Sequence, residues 1–245
     1  MQLVRPMQLP FIKMQAQGND FVILNSLEND LPELNDEFVR AITERRYGVG
    51  CDQLLVLSAS KQADAHMQIF NNDGTEAGNC GNGLRCAASL LLHSLNQNSV
   101  SIALHDRVIT AEKTEHGIAV NMGRATVLKR SDAQIDVEIG NQHSVFFEAV
   151  NSFPADRNVE IITGQVADHA YIDIIERGAG RTLACGSGAC ATTAAIWESE
   201  GHQRPQTIEM PGGQVFVSGS LDQMILAGSV KTVFTGEYLF QPAAA

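Results

Sequence analysis

The sequence predicts a mixed α/β fold built from two similar halves, with a ligand site in the cleft between them. Two observations carry this expectation. A cysteine–glycine turn occurs twice, as Cys80-Gly81-Asn82-Gly83-Leu84-Arg85-Cys86-Ala87 and as Cys185-Gly186-Ser187-Gly188-Ala189-Cys190-Ala191, 105 residues apart (80 to 185). Each copy runs into a small-residue, apolar helical stretch, Ala87–Leu92 and Ala191–Trp197. Most of the remaining chain reads as short strands punctuated by glycine. The period is too long, and the copies too few, for a solenoid, so a pseudo-symmetric pair of domains is expected.

The elements follow from local pattern. Phe21–Asn25, Gln53–Ser58, Met67–Asn71, Ser99–Leu104, Gly117–Gly123, Tyr171–Ile175 and Gln214–Ser218 carry alternating or β-branched runs and are predicted strands. Leu34, Phe38 and Ile42 fall at helical spacing, with Asn35 or Asp36 as the cap. Two further helices are predicted to begin in the glycine turns, over Gly81–His93 and Gly186–Glu198. No low-complexity linker separates the halves.

Composition narrows the class. With 245 residues, 44% hydrophobic and 18% charged, the chain suits one large or two smaller soluble domains. No run approaches the roughly 20 apolar residues needed to cross a bilayer. Met1–Pro10 lacks the apolar core of a signal peptide, so a cytoplasmic location is expected. A net charge of −11 argues against nucleic acid or an anionic membrane as partner, and leaves a small molecule. The five cysteines are an odd number on a chain without secretion signals, so reduced thiols are expected rather than a disulfide framework.

The duplicated turn has a chemical reading. Its glycines let backbone amides approach a ligand closely. The helix that follows points unsatisfied N–H groups at the same place, a cradle for a carboxylate. A cysteine just before a helix start has its thiolate stabilised by those amides, which tunes its pKa toward neutrality. Two such cradles facing each other would grip one carboxylate, with a thiol on each face of the carbon attached to it. That geometry suits racemisation, because one base returning its proton to the same face mostly regenerates the starting enantiomer.

Plainer readings compete. A cysteine near a glycine turn is ordinarily a small buried hydrophobe. Duplication singles out Cys80 and Cys185, while Cys86, Cys190 and Cys51 are left to packing. The spacings Cys-x5-Cys and Cys-x4-Cys, with no histidine pair to match, do not fit a zinc site, and no metal is expected. Asp20, Asp52 and Asp73 read as turn caps rather than bases, and Arg177 beside Glu176 also reads as a solvated pair.

Seven motifs follow one another along the chain: Gly18-Asn19-Asp20-Phe21, Gly48-Val49-Gly50-Cys51-Asp52-Gln53, Phe70-Asn71-Asn72-Asp73-Gly74 leading to Cys80-Gly81-Asn82-Gly83, Asn158-Val159, Glu176-Arg177-Gly178-Ala179-Gly180, Cys185-Gly186-Ser187-Gly188, and Pro211-Gly212-Gly213. On these motifs the chain, from about Phe11 to Phe240, bears a resemblance to the diaminopimelate epimerase family. It implies two halves, each a β-barrel-like sheet around a central helix, and no metal, flavin or pyridoxal cofactor. It implies Cys80 and Cys185 as the catalytic pair, and Gly81, Asn82, Gly186 and Ser187 as the carboxylate cradle. Asn19, Asn71, Asn141, Asn158 and Arg177 match the set that holds the substrate's distal amino-acid end, and Gln53 is counted among the substrate-binding residues. His143 and Glu176 match positions near the reacting ammonium and join the catalytic group. The first half is expected to span residues 1–113 and the second 114–234, with the last strand, within 235–245, returning to the first half. A homodimer is the assembly the resemblance implies.

The chain also departs from the family. Gln15-Ala16-Gln17 stands where His-Gly-Leu is usual, Gln142 replaces a proline, and the segment from His143 to Pro154 is short. A racemase of another amino acid, histidine for example, is the alternative within the same mechanism. A non-catalytic amino-acid-binding protein, a carboxylate-based isomerase on the same fold and a thiol-redox protein are the alternatives outside it.

Overall fold

Two runs of strands in the computed structural model follow one order of pairing. The structure describes residues 7–240; the expectation of a disordered Gln241–Ala245 lies outside them. In the first run, β1 (Met7–Ala16) and β2 (Asn19–Asn25) form an antiparallel hairpin. After α1 (Asp36–Thr43), β3 (Gln53–Ser58) joins β2 in parallel, and β4 (Ala65–Asn71) pairs antiparallel with β3. The crossover α2 (Gly81–Ser94) brings β5 (Ser99–Ala103) parallel to β4, and β6 (Val108–Thr114) and β7 (Gly117–Gly123) finish as a meander.

The second run repeats this order. β8 (Thr126–Arg130) and β9 (Gln134–Ile139) are antiparallel, as are β9 and β10 (Asn141–Phe146). β11 (Asn158–Val166) joins β10 in parallel, and β12 (His169–Glu176) pairs antiparallel with β11. The short β13 (Gly180–Arg181) folds back on the end of β12. The crossover α3 (Gly186–Glu200) then brings β14 (Gln206–Met210) parallel to β12, and β15 (Gly213–Ser220) and β16 (Gln223–Gly228) follow antiparallel. β16 pairs with β7, which joins the two runs, and β17 (Lys231–Phe240) lies against β1. The first run of pairings thus continues to Gly123, beyond Lys113.

The parallel steps β4 to β5 and β12 to β14 need crossovers, and α2 and α3 supply them. Each helix sits inside its own strands. α2 packs on β1, β2, β3, β5, β6 and β7, α3 on β8, β9, β10, β11, β14 and β15, and both touch β16 where the two runs join. A helix enclosed this way is apolar all round. In α3, Ala189, Cys190, Ala191, Ala194 and Ala195 are all fully buried, and small side chains let the sheet close around them. The mixed, strand-rich fold with few helices is the one expected.

Local signals placed the three helices and β2, β3, β4, β5, β7, β12 and β15, but not the other strands. Asn35 caps α1, its side chain accepting from the Phe38 N–H, so Leu34 falls just outside the helix. α3 stops at Gly201, which takes the left-handed conformation (φ 72°) that glycine adopts without strain. Among the described residues no helix is long and apolar enough to cross a membrane.

Candidate active site

Cys80 and Cys185 are the N-caps of α2 and α3. Each sits in extended backbone, and its sulfur accepts a hydrogen bond from the third residue of the helix, Gly83 N–H at 3.4 Å and Gly188 N–H at 3.3 Å. The helix ladders begin one residue later, with Leu84 N–H on the Cys80 carbonyl and Ala189 N–H on that of Cys185. The first two amides of each helix, those of Gly81 and Asn82 and of Gly186 and Ser187, are left for a ligand. Both helix starts open on one cleft of about 960 Å³ that is lined by both cysteines.

The cleft gathers most of the expected polar residues. Asn19, Gln53, Asn71, Asn141, Glu176 and Arg177 line it. Gln53 donates to Asn71 Oδ1 at 3.0 Å, a cross-strand pair on β3 and β4. Asn158 lies outside this cleft, on an adjoining cavity of about 670 Å³ that shares Gln53, Asn71, Asn141 and Arg177 with it. Its Oδ1 accepts from the Arg177 backbone N–H at 2.9 Å, so it holds the backbone that carries the guanidinium.

His143 is placed differently from the expectation. It is fully buried and does not line the cleft. Its Nδ1 lies 2.9 Å from Oε1 of Glu160, itself fully buried. Glu160 packs beneath the start of α3: a β-carbon on Gly188 would come within 2.3 Å of that carboxylate oxygen. Glu160, which no motif in the sequence marks, therefore reaches the Cys185 region beside His143. A carboxylate at the third residue of a strand shows no periodic signal, and only the fold brings it under the helix.

Asn19 is held from both sides. Its Nδ2 donates to Asp52 Oδ2 at 2.9 Å, so its Oδ1 faces the cleft. That oxygen accepts from Asn82 Nδ2 at 3.2 Å and lies 3.8 Å from the Cys80 sulfur. Asp20 and Asp52 do cap backbone, each accepting from the other's N–H, but they also bind Arg45, which bridges them at 2.8 and 2.7 Å. Lys13 adds an ion pair to Asp20 at 2.6 Å. Burial pushes the Asp20 carboxyl up, yet Arg45 and Lys13 outweigh it and hold it at about 2. Asp73 is the plain turn cap expected, accepting from Thr75 N–H.

The thiols do not approach neutrality. Burial pushes Cys80 up to about 11, and Glu176 adds to this against the Gly83 amide and Arg85. Burial, then Glu176 and Glu160, hold Cys185 well above the ordinary thiol range. The helix-start amides act in the expected direction, but desolvation is larger. Glu176 is itself raised by burial, against a 2.6 Å hydrogen bond from Thr182 and contact with Cys185. The cleft without ligand thus holds protonated thiols beside a carboxyl that is easier to protonate than usual. The other cysteines, Cys51, Cys86 and Cys190, are fully buried and pushed up to about 12 by that burial, as inert packing residues are.

Comparison with known proteins agrees with this architecture. The family model for diaminopimelate epimerase matches residues 11–128 and 133–233. The chain is 34% identical to the diaminopimelate epimerase of Rhodospirillum centenum, over 93% of this chain and 91% of that one. It is 33% identical to that of Phenylobacterium zucineum, over 93% and 97%. Among solved structures, a hydroxyproline epimerase from Agrobacterium vitis superposes with a TM-score of 0.68 at 12% identity, covering 99% of this chain and 95% of that one. A phenazine biosynthesis protein of Bacillus anthracis gives 0.71 at 16% identity, over 96% and 100%. These distant structures share the fold. The chain belongs to the diaminopimelate epimerase family.

Proposed function

We propose that this protein converts LL-2,6-diaminopimelate to the meso isomer, with Cys80 and Cys185 as the two acid–base groups at Cα. The observation that carries the reading is the pair of cysteine-capped helix starts opening on one cleft. The reacting carboxylate binds the free amides of Gly81, Asn82, Gly186 and Ser187. One sulfur, as thiolate, takes the α-proton from one face. The other, as thiol, gives a proton to the opposite face, so the thiolate passes from one cysteine to the other and no net proton is consumed. Glu176 faces both sulfurs and suits the reacting ammonium. Because burial keeps both thiols protonated without substrate, binding of a cationic ammonium beside them favours the first thiolate. At the far end, Gln53, Asn71, Asn141 and Arg177 suit an ammonium and a carboxylate, the latter through the planar guanidinium, with Asn158 as support, while Asn19, bonded to Asn82 and beside the Cys80 sulfur, belongs to the reacting end rather than the distal set. His143 acts through Glu160 rather than on substrate. We place the protein in the cytoplasm, where such thiols stay reduced.

A second reading, racemisation of another amino acid, is favoured by the adjoining cavity beside Gln142 and Arg157, where the segment after His143 is short. An α-proton exchange assay in D₂O across LL- and meso-diaminopimelate, L-histidine and other amino acids separates the two. Exchange confined to diaminopimelate supports the first reading. Exchange with another amino acid alone supports the second, and none with any of them leaves a binding protein.

A further inference from the structure

Arg85 is the largest side chain that is fully buried in the described chain, and it has no carboxylate partner. Its Nη2 donates to Asn82 Oδ1 at 2.8 Å and to Gln17 Oε1, while Nε and Nη1 find no acceptor. Buried arginines are ordinarily paired, because an isolated buried charge is costly. The Asn82 amide it holds spans the junction, donating to Asn19 Oδ1 at 3.2 Å and to the Ala184 carbonyl at 3.4 Å, next to Cys185. Arg85 thus stands behind the α2 start, one turn into that helix, and reaches the α3 start only through Asn82.

We propose that Arg85 is a positioning residue whose missing counter-charge is the anion at the helix starts: the substrate carboxylate and the working thiolate in front of it. Its Nη2 holds Asn82 where that amide spans the two halves, and its charge raises the positive potential that the α2 amides already present. The inference rests on the proposed two-thiol chemistry, and it extends that chemistry to a residue that never touches substrate. Other titratable groups bear on Cys80 and Arg85: Glu176 from β12 and the thiols Cys86 and Cys190. The Lys13–Asp20–Arg45–Asp52 cluster lines the same cleft. All are left in place by the test.

Gln17 provides that test. The substitution Gln17→Glu sets a carboxylate of the same shape against Arg85 and cancels its charge in place, at the expense of the Gln17 contacts to Ser229. The readouts are the pH dependence of Cys80 alkylation by iodoacetamide in the protein without substrate, the KM and kcat for diaminopimelate, and the melting temperature. We expect the alkylation midpoint to rise by about one pH unit and KM to rise about tenfold, with no loss of melting temperature. Arg85→Lys, which keeps the charge but loses the Nη2 hydrogen bonds to Asn82 and Gln17, is expected to hold the alkylation midpoint and lose kcat. An alkylation midpoint and KM both unmoved in Gln17→Glu would overturn the proposal. If the wild-type protein exchanges no diaminopimelate proton, the functional reading fails, while the alkylation arm still decides the role of Arg85.

Discussion

A β-carbon placed on Gly186 would lie 3.5 Å from the Cα of Gly81 and 3.7 Å from Asn82 Oδ1, so the two cysteine-capped helices meet at their first residues. Each half brings its helix start to the same point because each repeats the same strand order around its helix. The Gly186→Ala methyl would also meet Leu226 Cδ2 at 2.9 Å, a flexible group that can turn aside. The fold should survive with a nearly unchanged melting temperature, while KM rises about tenfold or more as the cradle fills. An unchanged KM would remove Gly186 from the carboxylate site.

Gly188 answers to a different constraint. Its missing β-carbon makes room for the Glu160 carboxylate at 2.3 Å, and Glu160 is tied to His143 and cannot retreat. Gly188→Ala should destabilise the protein by about 1–3 kcal/mol in denaturant titration. Stability equal to wild type would mean that Glu160 has another position available.

The proposed pair of acid–base groups leaves neither Cys80 nor Cys185 replaceable. Cys80→Ala and Cys185→Ala should each lower kcat by at least about 10²-fold with the melting temperature retained. Mild oxidation of the wild type should join Cys80 to Cys185 and stop turnover until a reductant is added. Full activity in the disulfide form would count against the pair.

The acid limb of stability should report on Asp20. Its folded pKa of about 2 lies below the ordinary 3.8, so its stabilisation is complete above pH 3.8 and is lost as pH falls through 2. Asp20→Asn should therefore be less stable than wild type at pH 7, with the two curves converging toward pH 2. A constant difference across that window would show that the ion cluster with Arg45 and Lys13 is not its source.

Arg177 should matter only for substrates with a charged far end. Arg177→Ala is expected to weaken diaminopimelate much more than alanine, measured as the ratio of kcat/KM values. Equal losses would put the guanidinium outside the binding site.

The legible part of this protein was local. Cysteine before glycine, followed by small apolar residues, specifies a capped and enclosed helix, and its repetition announced both halves. Gln53–Ser58 and Gly117–Gly123 were bounded correctly because β-branched or alternating residues end at polar or glycine breaks. β17 beside β1, and β7 beside β16, join distant segments whose pairing leaves no local mark. Glu160 and Arg85 were hidden for the same reason: each reads as an ordinary charged residue until the sheet closes over it. The raised thiol pKa values leave no mark in the sequence, which shows the helix amides but not the depth of the cleft.

The two-sulfur mechanism is tested most directly by early-time turnover of LL-diaminopimelate in D₂O, with deuterium at Cα followed separately in product and in unreacted substrate. The account predicts deuterium in the meso product from the first turnovers and almost none in the remaining LL pool. Deuterium entering both pools equally at the earliest times, or a product that keeps the substrate's own proton, would point to a single base and contradict it.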